Sequence, residues 1–551
     1  MNDAYLARMD EGFRALGIAE PSNPFSAENL ESREPAGFGN ETHTRDVARV
    51  ERTAAEEDDA RRCRETFPSF SFRAGDVVSA DRWLRGPVDP AGAIAHVSDR
   101  PLTCASAAPA GDGVAVGGTD HAVRVVGVAK DDASAKNRRR RSRDAPAASV
   151  ATLRGGHGEW VTCVTHDVTN GHVVSGGMDS CVYVWARRRA FRNGSRNGSR
   201  NGSRNGADHE TVPAKLEGHG GSVSDVLADD GRVASASYDK TVRLWRLHAD
   251  GSNAGSVGVT KSFKKSSVGS TTATAVATLR GHRAPALRLA ARFSNESGAD
   301  ASHVSDKNGR DVSDAFGSND AFERGLDFAS LASGDRGGAV LRWDAAVGSL
   351  VSSRERAHEG HCTALRWVQG ADPNATPLLA SGGQDGAARF WDDRQGGRPA
   401  AQAPTAHARA RGTGAVSEIA QCAGSSRRVV TAGADGYAAV FDLRADRAET
   451  FSVSAETSER SETFACASLS SHALGDFAYS LCVAPGADVA FVGDGAGHVH
   501  CVDVAGARTG GIPSVAFALG AHRGATRALV ATRDGKLFSA GDDGRVAAYA
   551  F

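Results

Sequence analysis

One segment recurs along this chain, and that recurrence constrains the fold more than any other feature. Its clearest copy, LEGHGGSVSDVLADDGRVASASYDKTVRLW, ends at Trp245. A second runs from LRGGHGEWVTCV to GHVVSGGMDSCVYVW and ends at Trp185; a third runs from AHEGHCTALRW to LLASGGQDGAARFWDDR. Each holds a Gly-His or Ala-His, then three short alternating runs separated by turn residues. Short strands at regular spacing with Gly and Asp turns predict an all-β fold. A length of 551 residues would otherwise suggest several domains, but a repeated unit overrides that estimate. The strand-turn-strand corner reads GGTDHAVRVV, GGMDSCVYVW, ASYDKTVRLW, SGDRGGAVLRW, GGQDGAARFW, AGADGYAAVF, VGDGAGHVHCV and AGDDGRVAAY. These corners predict eight units, with seven as the alternative.

Certain residues return at fixed places. An aspartate precedes a tryptophan by six positions in three units: Asp179 and Trp185, Asp239 and Trp245, Asp385 and Trp391. A serine stands four before each acid, at Ser175, Ser235 and Ser381, and Thr431 and Ser539 match it in other units. The histidines of the units are His157, His219, His282, His358, His407 and His522. With a period near 45 residues, this pattern resembles the WD40-repeat family, whose repeats build four-stranded propeller blades. The resemblance covers roughly four-fifths of the chain, from about residue 91 to 551.

The resemblance implies a WD40-type β-propeller of eight blades. It also implies hydrogen-bonded tetrads of His, Ser, Asp and Trp in the second, third and fifth. Their members are His157, Ser175, Asp179 and Trp185; His219, Ser235, Asp239 and Trp245; His358, Ser381, Asp385 and Trp391. A buried polar chain with every member satisfied rigidifies its blade. The fourth blade has Gly337 six before Trp343, and the sixth, seventh and eighth carry Phe441, Cys501 and Tyr549 in place of the indole. Those four are expected to be softer. A Ser, His and Asp repeated in every unit argue for structure rather than catalysis, because an active site occurs once. Neither a nucleophile elbow nor a phosphate-binding loop is present, and the cysteines do not cluster as a zinc site would need, so no enzyme, cofactor or metal is expected.

A propeller must hide the edges of its first and last blades. The third strand of the last blade, GRVAAYAF, reaches Phe551, so its fourth strand is expected from AIAHV, Ala93 to Val97. Low-complexity insertions near 129–150, 186–212, 247–275 and 294–327, and another after Phe441, all fall on connections that emerge from one face. The opposite, compact face carries the Gly-His connections and the Asp corners, and is expected to dock partners. Its contact candidates are Trp160, Met178, Tyr238, Arg336, His361 and Gln384, since aromatic and Arg side chains dominate interface energetics.

These features predict a non-enzymatic scaffold for protein partners. One alternative is a substrate receptor of a cullin-4 ubiquitin ligase. LLASGGQDGAARFWDDR resembles the box of such receptors, with Arg394 after Trp391 and Asp392, and VVTAGADGYAAVFDLR is a second copy ending at Arg444. Another is ribonucleoprotein assembly, from the basic run KNRRRRSR at 136–143. The FRNGSRNGSRNGSRNG tract from Phe191 lacks aromatic interleaving for base stacking, and the net charge of −1 gives no global pull toward nucleic acid or membrane.

The N-terminal extension, 1–90, is read as partly helical or disordered, with Leu6, Met9, Phe13 and Leu16 on one helical face. Nine scattered cysteines, without a C-x-x-C pair, point to a reduced, intracellular protein. No run of 18 apolar residues and no signal-like start imply the cytoplasm or nucleus without membrane insertion.

Overall fold

The alternating segments become strands because their apolar positions need burial on both faces. The computed structural model describes residues 78–551, apart from 128–148, 187–212, 249–271, 294–325, 370–376, 393–398, 443–466 and some shorter stretches. Within it stand eight four-stranded antiparallel sheets and one two-stranded hairpin. Seven sheets use four consecutive strands, at 102–153, 161–216, 223–280, 286–354, 362–403, 416–473 and 478–520. Second strands such as VVSGG (Val173–Gly177) and LLASGG (Leu378–Gly383) are buried end to end, because each sheet is packed on both sides.

The apolar residues collect into eight clusters, and each cluster joins two neighbouring sheets. Val174, Val182 and Leu216 of the second meet Val226, Val233 and Trp245 of the third. Phe538, Ala540 and Val546 of the eighth meet Leu102, Val114 and Val116 of the first. The sheets therefore form a closed ring of eight blades.

The last blade consists of Thr526–Ala531, Lys536–Gly541 and Arg545–Ala550, completed by Ala93–His96 from upstream of the first. Ala93 faces Ala548 and His96 faces Arg545 in antiparallel register. Closure by this ribbon is as expected, and it covers the edge that Arg545–Ala550 would otherwise expose.

The N-terminal limit of the ring differs from expectation. Val78, Trp83 and Leu84, ahead of residue 91, already pack against its last two blades. The helix Ala80–Arg85 places Trp83 wholly inside the packing between the last two blades. Its indole lies edge-on to Phe491 at 5.6 Å and 4.6 Å from the ring of Phe551. The extension before residue 77, with Leu6, Met9, Phe13 and Leu16, lies outside the described residues. Strands also claim the margins of the expected insertions. Ser149–Leu153, Thr241–His248, Thr272–Arg280 and Leu326–Asp335 all run into those ranges.

The long insertions join third to fourth strands in blades 1, 2, 3 and 6, and the first to the second in blade 4. In an antiparallel blade both kinds of connection leave from one face. Among the described residues the compact face has one extra strand pair, a hairpin of Ala408–Arg409 and Gly412–Thr413 between His407 and the sixth blade. Among the described residues no helix is long and apolar enough to cross a membrane.

Candidate functional site: the compact face

The compact face is built from polar clasps inside the blades and a rim of side chains above them. In blade 3, His219 bonds Asp239 through Nδ1 at 2.8 Å and Ser235 through Nε2 at 2.8 Å, and the Trp245 indole donates to Ser235 at 2.9 Å. In blade 5, His358 bonds Asp385 at 3.0 Å and Ser381 at 2.7 Å, with Trp391 donating to Ser381 at 2.8 Å. In blade 2, His157 bonds Asp179 at 2.9 Å and Ser175 at 2.7 Å, beside the buried Trp185.

Other blades depart from the sequence reading. Blade 4 is complete, because Asp335 rather than residue 337 bonds His282 at 2.9 Å, while Ser333 takes His282 and Trp343 at 2.6 and 2.7 Å. Blades 6 and 8 hold the three-membered sets His407, Asp435, Thr431 and His522, Asp543, Ser539. Blade 1 uses Ser98 and Arg124 on Asp120, both at 2.5 Å. In blade 7 the strand register puts Val502 opposite Ala490, as Trp245 is opposite Val233, so Val502 and not Cys501 stands at the tryptophan position.

The clasps reproduce the Asp-His-Ser order of a hydrolase triad six times. Yet Ser175, Ser235, Ser333, Ser381, Thr431 and Ser539 are all buried. A hydroxyl sealed in a blade cannot reach a substrate carbonyl, so none of these sets can work as an exposed nucleophile.

Burial would raise the carboxyl of Asp239, but hydrogen bonds from Thr241 and His219 outweigh it and hold the group at about 2. Burial lowers His219 and His358 below the usual imidazole value, against the pull of their aspartates.

Above the clasps, each corner amide bonds the carbonyl two residues before the bulge of its blade's innermost strand. Met178 N–H donates to Trp160 O at 2.9 Å, Tyr238 to Ser222 at 2.9 Å, Arg336 to Pro285 at 2.8 Å and Gln384 to His361 at 2.8 Å. The expected contact residues thereby fall into two groups. Trp160, Met178 and Tyr238 follow one another across blades 2 and 3, linked by Ser222 Oγ donating to Met178 O at 3.4 Å. Tyr238 is 45% exposed, the most exposed aromatic side chain of this face among the described residues. Across blades 4 and 5, Arg336 Nε donates to His361 Nε2 at 3.2 Å, and His361 N–H donates to Gln384 Oε1 at 3.2 Å. Burial, and then the Arg336 charge, push the His361 imidazole down. Arg394 and Arg444 lie outside the described residues, as does 136–143; Asp392 and Asp442, two positions earlier in the sequence, are buried.

Three features of this region escaped the sequence reading. In blade 8, Arg527 makes a two-pronged bond to Asp542 at 2.8 and 2.9 Å and lies 4.4 Å over the Tyr479 ring. The adjacent acids of AGDDG divide the work, Asp543 holding His522 and Asp542 facing the rim.

A girdle of hydroxyls also links the innermost strands. Thr103, Thr162, Ser224, Thr363 and Ser417 each donate to a carbonyl of the next blade at 2.5 to 2.6 Å. Its signal was readable, as a Ser or Thr second in VTCV, VSDV and VSEI. Third, Asp225 and Glu418 accept the Leu289 and Leu481 amides of the next blade at 2.8 Å. Burial raises both carboxyls, opposed by Arg288 and those amides.

The model of the WD domain, G-beta repeat, matches residues 148–186 and 211–246. Each match starts with the last strand of one blade and ends with the third strand of the next. These two matches identify the repeat, and the eight sheets show the ring it builds.

The chain is a WD40-repeat β-propeller.

Among solved structures, this WD40 propeller is similar to Sqt1 of Saccharomyces cerevisiae, at 13% identity and a TM-score of 0.55. That likeness covers 87% of this chain and 100% of that one. The computationally designed Ika8 protein is similar at 16% identity and a TM-score of 0.50, with the same coverage. At such identities the likeness speaks for the propeller fold alone. No curated protein matches the sequence.

Proposed function

We propose that this WD40 propeller is a non-enzymatic scaffold that presents its compact face to protein partners within a multiprotein complex. The observation that carries the reading is the row Trp160, Met178 and Tyr238, held in succession by backbone hydrogen bonds. Tyr238 leaves nearly half its surface in solvent there. An aromatic pair on a rigid rim loses little conformational entropy on binding, which is what an interface anchor requires. The buried hydroxyls of the Asp-His-Ser sets support the same reading, since the polar machinery is committed to the blades.

The test is affinity capture with mass spectrometry, comparing the full chain with Trp160→Ala/Tyr238→Ala. Loss of a specific partner with an unchanged melting temperature supports the proposal. An identical partner set in the double variant overturns it.

A further inference from the structure

Blade 7 has none of the polar clasp that holds its neighbours. Leu474, whose amide bonds Gly436 as that of His407 bonds Gly386, stands where the loop histidine belongs. Val492 and Val502 take the hydroxyl and indole positions. The blade instead gathers a different set. Asp494, the last residue of Val489–Asp494, is buried, with a side chain 1% exposed. The imidazoles of His498 and His500, two residues apart on one side of the strand His498–Asp503, turn toward it.

Both imidazoles aim at the same carboxylate oxygen. His498 Nδ1 is 3.3 Å and His500 Nε2 2.9 Å from Asp494 Oδ2, and all three donor atoms lie within 4.8 Å of one another. A tetrahedral Zn²⁺ with bonds near 2.0–2.2 Å spaces its ligands by roughly 3.3 Å. The carboxylate is oriented from behind, because the His498 backbone N–H donates to Asp494 Oδ1 at 2.7 Å. Such outer bonds fix a ligand's direction in metal sites. The His498 side chain is 50% exposed and that of His500 12%, so the donors open to solvent on one side. A single clasp of the kind in blade 3 uses one imidazole between an acid and a hydroxyl. Among the described residues, two imidazoles converging on one oxygen have no counterpart in the other blades.

We propose that Asp494, His498 and His500 bind a divalent transition ion of the zinc class. Three protein donors face one open position, and the ion acts as the clasp that blade 7 otherwise lacks. Imidazole with one carboxylate suits Zn²⁺ and Co²⁺ over Mg²⁺ or Ca²⁺, which prefer all-oxygen sites. The sequence reading missed it because it sought metals through clustered cysteines.

The test uses the full chain freed of metal by a chelator. Titration with Co²⁺ should give one equivalent of a tetrahedral visible absorption band, displaced by Zn²⁺, and Zn²⁺ should raise the melting temperature. His498→Ala is the deciding variant, because its side chain is half in solvent and its loss should not unfold the blade. Zn²⁺ affinity should fall by about 100-fold or more, the upper end of what losing even an outer partner costs. His500→Ala should do the same. With 18 histidines in the chain, weak scattered binding is the competing outcome. Binding of equal strength in the parent and both variants overturns the proposal, as does absence of a stoichiometric Co²⁺ band.

Discussion

Asp335 holds Nδ1 of His282 at 2.9 Å from the last position of its strand, two residues before the place its counterparts occupy. Four other blades have glycine at that strand end beside a clasp histidine, at Gly177, Gly383, Gly433 and Gly541. A Cβ at Gly177 would lie 2.3 Å from His157 Nδ1, and one at Gly383 2.2 Å from His358 Nδ1. A side chain there is aimed at the imidazole, so an acid can serve the same nitrogen from either site.

Replacing Asp335 with alanine removes the acceptor of a buried imidazole. The expected loss is about 1–3 kcal/mol of stability, read as a lower melting temperature by calorimetry. Adding Gly337→Asp should return much of it, because the acid stands there in blades 2, 3, 5, 6 and 8. A double variant no more stable than Asp335→Ala would show that this corner cannot take the acid.

Trp83 couples the short N-terminal helix to the seam between blades 7 and 8. It is fully buried against Phe491 and Phe551. Trp83→Ala should therefore cost roughly 3–5 kcal/mol, as for large aromatic side chains deleted from a core. An unchanged denaturant midpoint would mean that the helix adds nothing to the ring.

Much of this architecture was legible in the residues. Alternating runs, Asp corners and the Gly-His step give strands, turns and blade count together, since each reports a local backbone need. The ribbon Ala93–His96 followed from edge covering alone. Legibility ended where one function moved between positions. Asp335 performs the task of a corner acid from a strand end, which counting back from Trp343 could not reveal. Val502 was displaced by one because neither it nor Cys501 resembles an indole. Trp83 stood alone before any repeat, so only packing shows its place. The Asp494, His498 and His500 set combines a strand end with the following strand, and no cysteine advertises it.

A chain beginning at Pro101 would lack the ribbon that covers Arg545–Ala550. The exposed edge presents unpaired backbone groups to any other strand. Size-exclusion chromatography should show concentration-dependent self-association of that truncation, and the full ring should remain free of it. Identical elution of both across concentrations would count against the covering role of Ala93–His96.

Acid should weaken the ring in two steps, and the signs follow from the clasps. His219 and His358 are lowered by burial, so the unfolded chain takes up their protons first. Their contribution is complete above the free imidazole value of about 6.5 and falls as pH drops through it toward the folded values. Asp239 is held at about 2 when folded, because hydrogen bonds from Thr241 and His219 overcome the opposing effect of burial. Asp179, Asp385 and Asp543 are lowered in the same manner. The carboxylate contribution is complete above the unfolded value of about 4 and is lost as pH falls through the folded values. Melting temperature measured from pH 8 to 3 should start to decline below about 6.5 and steepen below about 4. In Asp239→Asn the second decline should be shallower, since one group no longer titrates. A melting temperature that stays level from pH 7 to 5 would show that the buried imidazoles do not couple to folding.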